Sequence, residues 1–285
     1  MRAYLELTKP RISLLFAITG LAALVVEGSL SFGMWTPWIL VLAIFLVGGS
    51  ANAFNQYFER DIDAQMERTA QKRPLPLRKI SPLAALSFSV GIGVVGLSLL
   101  FYFANGSILA FLLGLFTILF YSFYYTLWLK PRTSYNIVMG GAAGAMGPLI
   151  GWAAVTGTVG WEAWVMFLII FFWTPPHFWA LALYHKEDYE KVSLPMLPLV
   201  KGDEETRKQI FYYSLVLVPI SLSLFLSHAL SLFYVLSALG LGIFFVWFSF
   251  RLYSEKTLLL ARRLFGYSIA YLMLLFLVMI VDGLV

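Results

Sequence analysis

Residues 38–74 read "WILVLAIFLVGGSANAFNQYFERDIDAQMERTAQKRP". The first half is apolar or small at almost every position, and the second half is crowded with acids and bases. A helix needs about 17–25 apolar residues to cross roughly 30 Å of hydrocarbon, and charges that follow at once mark the return to water. The same pattern recurs along the chain, with apolar segments near 12–28, 37–57, 83–104, 107–128, 136–156, 161–184, 210–228, 231–250 and 264–283. The chain of 285 residues is 60% hydrophobic and 12% charged, with a mean hydropathy of +0.83, which excludes a soluble domain of this length. No segment alternates in the manner of a barrel strand. The sequence therefore predicts an all-α integral membrane protein with nine transmembrane helices.

Loop charge predicts the orientation. All 20 lysines and arginines lie in the N-terminal segment or in the connections after spans 2, 4, 6 and 8. The other connections and the C-terminus carry none, so the positive-inside rule places the N-terminus in the cytoplasm and the C-terminus outside. The first segment follows Arg2, Lys9 and Arg11. It is long for a signal-peptide core and lacks a small-x-small cleavage site, so it reads as an uncleaved span.

The chain reads as a single transmembrane domain, 1–285, with two long inner connections, about 58–82 and 185–209, that carry most of the charge. The outer connections, such as "NGS" and "SHALS", are short, so function is expected on the cytoplasmic side of a cell membrane. The two long connections follow spans 2 and 6, and this offset hints at a duplicated four-span unit. The absence of cysteine removes disulfides, thiolate metal sites and cysteine nucleophiles. The net charge of +5 is accounted for by topology and anionic lipid headgroups, and no nucleic-acid partner is implied.

Asn55, Glu59 and Asp63 are spaced i, i+4, i+8. At about 100° per residue they drift by about 80° and share one helix face, stacked over about 12 Å. Amide and carboxylate oxygens in that arrangement suit a hard divalent cation, and Mg²⁺ in particular keeps water and binds phosphates. Arg68, Lys72 and Arg73 follow directly, and Lys130 and Arg132 stand in the next inner connection. Together they form a candidate cradle for a departing diphosphate. The alternative is plainer: ordinary helix-surface pairs beside a positive-inside signal.

A second acidic cluster, "YHKEDYEK", places Glu187, Asp188 and Glu190 beside Lys186 and Lys191 at the matching end of span 6. It reads as a second metal or diphosphate site, or as a solvated helix end. Within span 6, "FFWTPPHFWALALYHK" predicts a break or kink at two prolines. His177 is an intramembrane ionisable group, hence a candidate for ligand or proton-transfer roles; a neutral imidazole bonded to backbone is the other reading. Trp173, Phe178 and Trp179, with Tyr121, Tyr124 and Tyr125 of span 4, are candidates for an aromatic wall. The small residues of "GGAAGAMGPLIGW" at 140–152 favour close helix packing.

With these stretches in view, the sequence resembles the UbiA-type intramembrane prenyltransferase superfamily, and within it the branch whose acceptor is heme. The matching text is "YLELTKPRISLL", "NQYFERDIDAQMERTAQKRPLP", "YTLWLKPRTSYNIVMGGAAGAMGPLIGWAAVTG" and "WTPPHFWALALYHKEDYEKVSLPMLP". The superfamily's first acidic motif, Asn-x-x-x-Asp-x-x-x-Asp, falls on Asn55, Glu59 and Asp63, with glutamate in place of the middle aspartate. Asp188 maps to the second motif, and Gly147 stands where a first proline of a pair is expected.

The resemblance implies a UbiA-type bundle with Asn55, Glu59, Asp63 and Asp188 as catalytic residues and Mg²⁺ ligands. It implies a diphosphate site drawn from Arg68, Lys72, Arg73, Lys130, Arg132 and Lys186, and a heme contact at His177, to the iron or a propionate. The implied reaction ionises farnesyl diphosphate, joins the allylic cation to a vinyl group of heme B, adds water and releases heme O and diphosphate. A downstream heme-modifying enzyme is an implied partner. The competing readings are a same-fold enzyme acting on a hydroxybenzoate, naphthoate or chlorin, and a non-catalytic heme-binding or transport protein. Transporters keep ionisable groups near the midplane and heme electron carriers need paired axial ligands, neither of which fits this pattern.

Overall fold

The computed structural model describes residues 1–285. Nine helices are long and apolar enough to cross a membrane: Pro10–Glu27 (span 1), Trp35–Phe58 (span 2), Pro82–Phe103 (span 3), Ile108–Leu129 (span 4), Asn136–Thr156 (span 5), Trp161–Tyr184 (span 6), Gly202–Ser227 (span 7), Leu232–Glu255 (span 8) and Leu258–Gly283 (span 9). The expected boundaries hold within three residues for the first six. Span 7 starts eight residues earlier than expected, because it opens with polar turns that hydropathy alone assigns to a loop, and span 9 six residues earlier, because Arg262 and Arg263 interrupt its apolar opening turn. Gly202 begins span 7 at a left-handed φ of 83°, a conformation that glycine adopts without strain. The inner connection expected over 185–209 is correspondingly shorter, and it contains the short helices Lys186–Lys191 and Leu197–Val200.

Span neighbours repeat with an offset of four. Span 2 packs on span 3 as span 6 packs on span 7, span 3 on span 4 as span 7 on span 8, and span 4 on span 5 as span 8 on span 9. Spans 1 and 5 cross at the centre. Their crossing explains the glycines of span 5: a Cβ on Gly151 would stand 2.5 Å from the Gly20 carbonyl oxygen, and one on Gly147 would stand 2.8 Å from the Phe16 carbonyl oxygen. Backbone cannot yield as a flexible side chain does. The unexpected Gly147 is thus a contact point for two helix backbones, in line with small-residue packing in bilayers.

Two local features bear on the site, and of the break or kink expected in span 6 the break does not occur. Span 6 runs through Pro175 and Pro176 without a break; both prolines are buried against neighbouring spans that hold the helix together. The inner end of span 4, Phe120–Leu129, is wound in the wider π form, with the Lys130 N–H donating to the Tyr125 carbonyl at 2.8 Å. Such windings re-aim side chains and recur at functional sites. Here Tyr121 and Tyr125 turn inward while Tyr124 faces outward and stacks on Trp128.

Candidate active site

Span 2 ends at Phe58, and the helix resumes as Arg60–Gln65 after a small irregularity at Glu59. The i to i−4 bonds continue across it, from Glu59 N–H to the Asn55 carbonyl at 2.9 Å and from Asp63 N–H to the Glu59 carbonyl at 2.7 Å. The three motif residues therefore keep a shared face. They are buried, with Asn55 2%, Glu59 4% and Asp63 2% exposed. Buried carboxylates demand counter-charge, and the chain supplies it from three distant places.

Glu59 pairs with Lys130 and lies 3.6 Å from Arg73. Asp63 pairs directly with Arg73. Lys9 Nζ donates to Asn55 Oδ1 at 2.8 Å, while the Asn55 amide donates to Thr126 Oγ1 at 3.1 Å. Thr126 in turn donates to the Tyr121 carbonyl at 2.7 Å, a bond that the π winding permits.

Two carboxylates face three basic side chains, so the cluster carries one excess positive charge when Lys9 is protonated. Burial alone would raise the Glu59 carboxyl, but Lys130 and Arg73 outweigh it and hold it below the usual carboxylate range. Burial, reinforced by the negative charge of Glu59, pushes Asp63 above that range despite Arg73. Loss of hydration and the charge of Arg73 lower the Lys9 ammonium to about 7.

A cavity of about 1490 Å³ joins this cluster to the interior of the bundle. Single-ligand pockets are commonly about 300–1,000 Å³, so there is room for more than one substrate. It passes Tyr121 and Tyr125, stacked at 5.3 Å, and reaches Trp173, His177 and Phe265. His177 is seven residues before the inner end of span 6, about 10 Å along the helix. Phe178 also lines the cavity; Trp179, expected there, is instead fully buried against Tyr213, and Tyr124 faces away.

The expected diphosphate residues divide. Arg73, Lys130, Arg68, Lys72 and Lys186 all line the cavity. Arg68 lies over the Tyr189 ring with its Nε unpartnered, Lys72 is exposed at the rim, and Lys186 is bonded to Asp203 at 2.8 Å. Arg132 is not brought to the site: its guanidinium bonds the carbonyls at Leu127 and Trp128 and lies over the Trp128 ring. Those contacts close the end of span 4, a local use of charge indistinguishable in sequence from a ligand contact.

Asp188 lines the cavity and also has a structural task. Its two oxygens accept the backbone N–H groups of Glu67 at 3.2 Å and Arg68 at 3.1 Å, capping the short helix Glu67–Ala70. This joins the end of span 6 to the connection after span 2. Lys9, Thr126 and Ser268 were not anticipated as site residues. Lys9 carried one available signal, a charge set directly before Pro10 where span 1 begins; in the structure it takes a left-handed φ of 46° that turns it inward. Ser268 carried none.

The donors are of the type a divalent metal takes, although no three acidic or histidine side chains converge on one point here. Amide and carboxylate oxygens are hard ligands, and each holds a cationic side chain that a metal would have to displace. The sequence profile of the UbiA prenyltransferase family matches residues 13–279.

The chain belongs to that family.

It is 48% identical to the protoheme IX farnesyltransferase of Gloeobacter violaceus, over 98% of this chain and 91% of that one. It is 43% identical to the protoheme IX farnesyltransferase of Symbiobacterium thermophilum, over 99% and 94%. Among solved structures, a digeranylgeranylglyceryl phosphate synthase superposes with a TM-score of 0.79 at 19% identity, covering 99% of this chain and 98% of that one. A UbiA homolog from Archaeoglobus fulgidus bound to GPP and Mg²⁺ superposes with a TM-score of 0.72 at 16% identity, covering 98% and 99%. These structures share the fold, so the chain is a multi-pass membrane protein of the UbiA architecture.

Proposed function

We propose that the protein transfers the farnesyl group of farnesyl diphosphate to a vinyl group of heme B, with addition of water, releasing heme O and diphosphate. The observation that carries this reading is one cavity with two unlike ends: a buried cluster in which basic and acidic side chains are paired, and an aromatic pocket holding His177. Whole-length similarity to protoheme IX farnesyltransferases supports heme as the acceptor.

Lys9, Arg73 and Lys130 bind the diphosphate and take up negative charge as its bond to the allylic carbon breaks. Arg68 and Lys72 receive it from the rim. Asn55, Glu59, Asp63 and Asp188 would hold Mg²⁺, which would supply further positive charge to the departing diphosphate. The faces of Tyr121 and Tyr125 line the path between the two ends, where they stabilise a cation and exclude water. The vinyl π electrons form the new carbon–carbon bond. Water then adds at the carbon next to the porphyrin, and its proton leaves with diphosphate. His177 contacts the heme. The charged end faces the cytoplasm of a cell membrane, a placement supported by the gathering of all 20 lysines and arginines at one end of the bundle.

The test is to incubate purified protein with heme B, farnesyl diphosphate and Mg²⁺, with and without chelator, and to follow the pigment by mass spectrometry. A chelator-sensitive gain of farnesyl plus water is the expected outcome. Prenylation of an aromatic acid by active protein that leaves heme untouched would reject the acceptor and keep the diphosphate site.

A further inference from the structure

His177 is 8% exposed, and both faces of its ring are covered. Trp173 stacks on one at a centroid distance of 4.4 Å and an angle of 18°, and Phe265 on the other at 4.6 Å and 24°. Trp173 is itself fixed by an indole N–H bond of 2.8 Å to the Ser268 carbonyl. A ring clamped in this way cannot lie flat on a porphyrin. It can meet a ligand only through its edge, where the nitrogen lone pairs lie.

Proton counting assigns the tautomer. Ser268 Oγ makes two short contacts, 2.6 Å to His177 Nδ1 and 2.7 Å to the Phe265 carbonyl oxygen. Each contact needs a proton between its heavy atoms, and the serine hydroxyl has one. The carbonyl has none to give, so the hydroxyl proton goes to it and the second proton comes from Nδ1–H. In the reverse arrangement two oxygen lone pairs would face each other at 2.7 Å with nothing between them. Nδ1 therefore donates, and Nε2 carries a free lone pair.

No protein group bonds Nε2, yet it is not among the sealed polar atoms that lack a partner. It is open to the cavity that His177 lines. A nitrogen that only accepts cannot hydrogen-bond an ionised propionate, which also only accepts. It can coordinate a Lewis acid. An imidazole whose other nitrogen donates to a fixed partner is the usual arrangement of a metal-binding histidine.

We infer that His177 binds the heme substrate by coordinating its iron through Nε2, with Ser268 as the residue that positions the ring. The inference rests on heme being the acceptor, and it decides between iron and propionate at that contact. Axial ligation fixes the porphyrin perpendicular to the line of the iron–nitrogen bond, which limits the approach of its vinyl groups to the allylic carbon. Of the other histidines, His185 lies among the charged groups, with Nδ1 4.0 Å from Asp188, and His228 lies in the connection between spans 7 and 8.

The experiment loads purified full-length protein with heme B in the absence of farnesyl diphosphate, reduces it, and records the resonance Raman spectrum alongside a heme titration. Wild type and His185→Ala are expected to show the iron–histidine stretching band. His177→Ala is expected to retain heme in the cavity but lose the band, and added imidazole restores it. Ser268→Ala is expected to shift the band and weaken heme binding about tenfold, the usual scale for losing a partner of a metal-binding histidine. Bound heme without the band in wild type would overturn the inference whatever the variants do, as would a band that survives in His177→Ala. An unchanged band in Ser268→Ala removes the positioning role. Wild type that binds no heme at all would reject the heme-acceptor reading itself, which separates the two failures.

Discussion

Lys9 stands half-buried between Asn55 and the charges of Glu59, Asp63 and Arg73, and its ammonium is lowered to about 7 from 10.5. Between those values the unfolded chain holds a proton that the folded chain has released, so stability rises with pH across that window. Below about 7 the full cost of the buried charge is present. Lys9→Met cannot titrate, so its melting temperature should exceed that of wild type most below pH 7, with the gap closing as pH rises toward 10.5. A gap independent of pH would show that Lys9 is not desolvated in the folded protein. Asp63→Asn keeps the shape but removes the direct counter-charge of Arg73. It should fold, elute as wild type on gel filtration and lose at least about a hundredfold in kcat/KM, the scale of removing one electrostatic partner from a transition state. The acidic motif was legible from spacing, and Arg73 and Lys130 stood among the candidates beside it, but Lys9 did not, and nothing in local sequence separates Lys130, which reaches Glu59, from Arg132, which turns to nearby carbonyls.

Among the elements, the connection 66–73 is the piece on which the site depends most. It brings Arg68 and Arg73 to the cavity, and it is pinned by Asp188 from the far half of the chain. Hydrogen bonds to a charged acceptor contribute about 1.5–3 kcal/mol each, so Asp188→Ala removes two of them from a helix of only four residues. Limited proteolysis should then cut near 66–73 faster in Asp188→Ala than in wild type, and the KM for farnesyl diphosphate should rise. Equal cleavage rates would mean that the connection is held by something else. Hydropathy located spans 1 to 6 within three residues because lipid-facing length is a local property. It misplaced the start of span 7 because polar helical turns at a membrane surface look like loop, and that of span 9 because Arg262 and Arg263 break its apolar run. The π winding of span 4 was invisible for a related reason: no proline or glycine stands in "FYSFYYTLWL", and what favours the wider turn is the inward bonding of Thr126 and Asn55.

Over the whole molecule, the four-span offset brings two acidic segments, one from each half, to the same end of one cavity. That end also holds every lysine and arginine. Because the chain has no cysteine, single cysteines report topology directly. Ser29→Cys, in the first outer connection, should react with a membrane-impermeant maleimide in intact cells, whereas Asp61→Cys should react only after permeabilisation. The opposite pattern would invert the orientation proposed for the active site. The sequence by itself determined the number of spans, the gathering of charge at one end and the motif Asn55, Glu59, Asp63, since each follows from hydrocarbon thickness or helical periodicity acting on neighbouring residues. Only tertiary structure decided that Lys9 enters the site and Arg132 leaves it, that Asp188 holds a connection 120 residues away, and that Ser268 sets the proton on His177 from 91 residues away. Those outcomes depend on which distant segments meet in the packed bundle, and spacing along one segment carries no information about that.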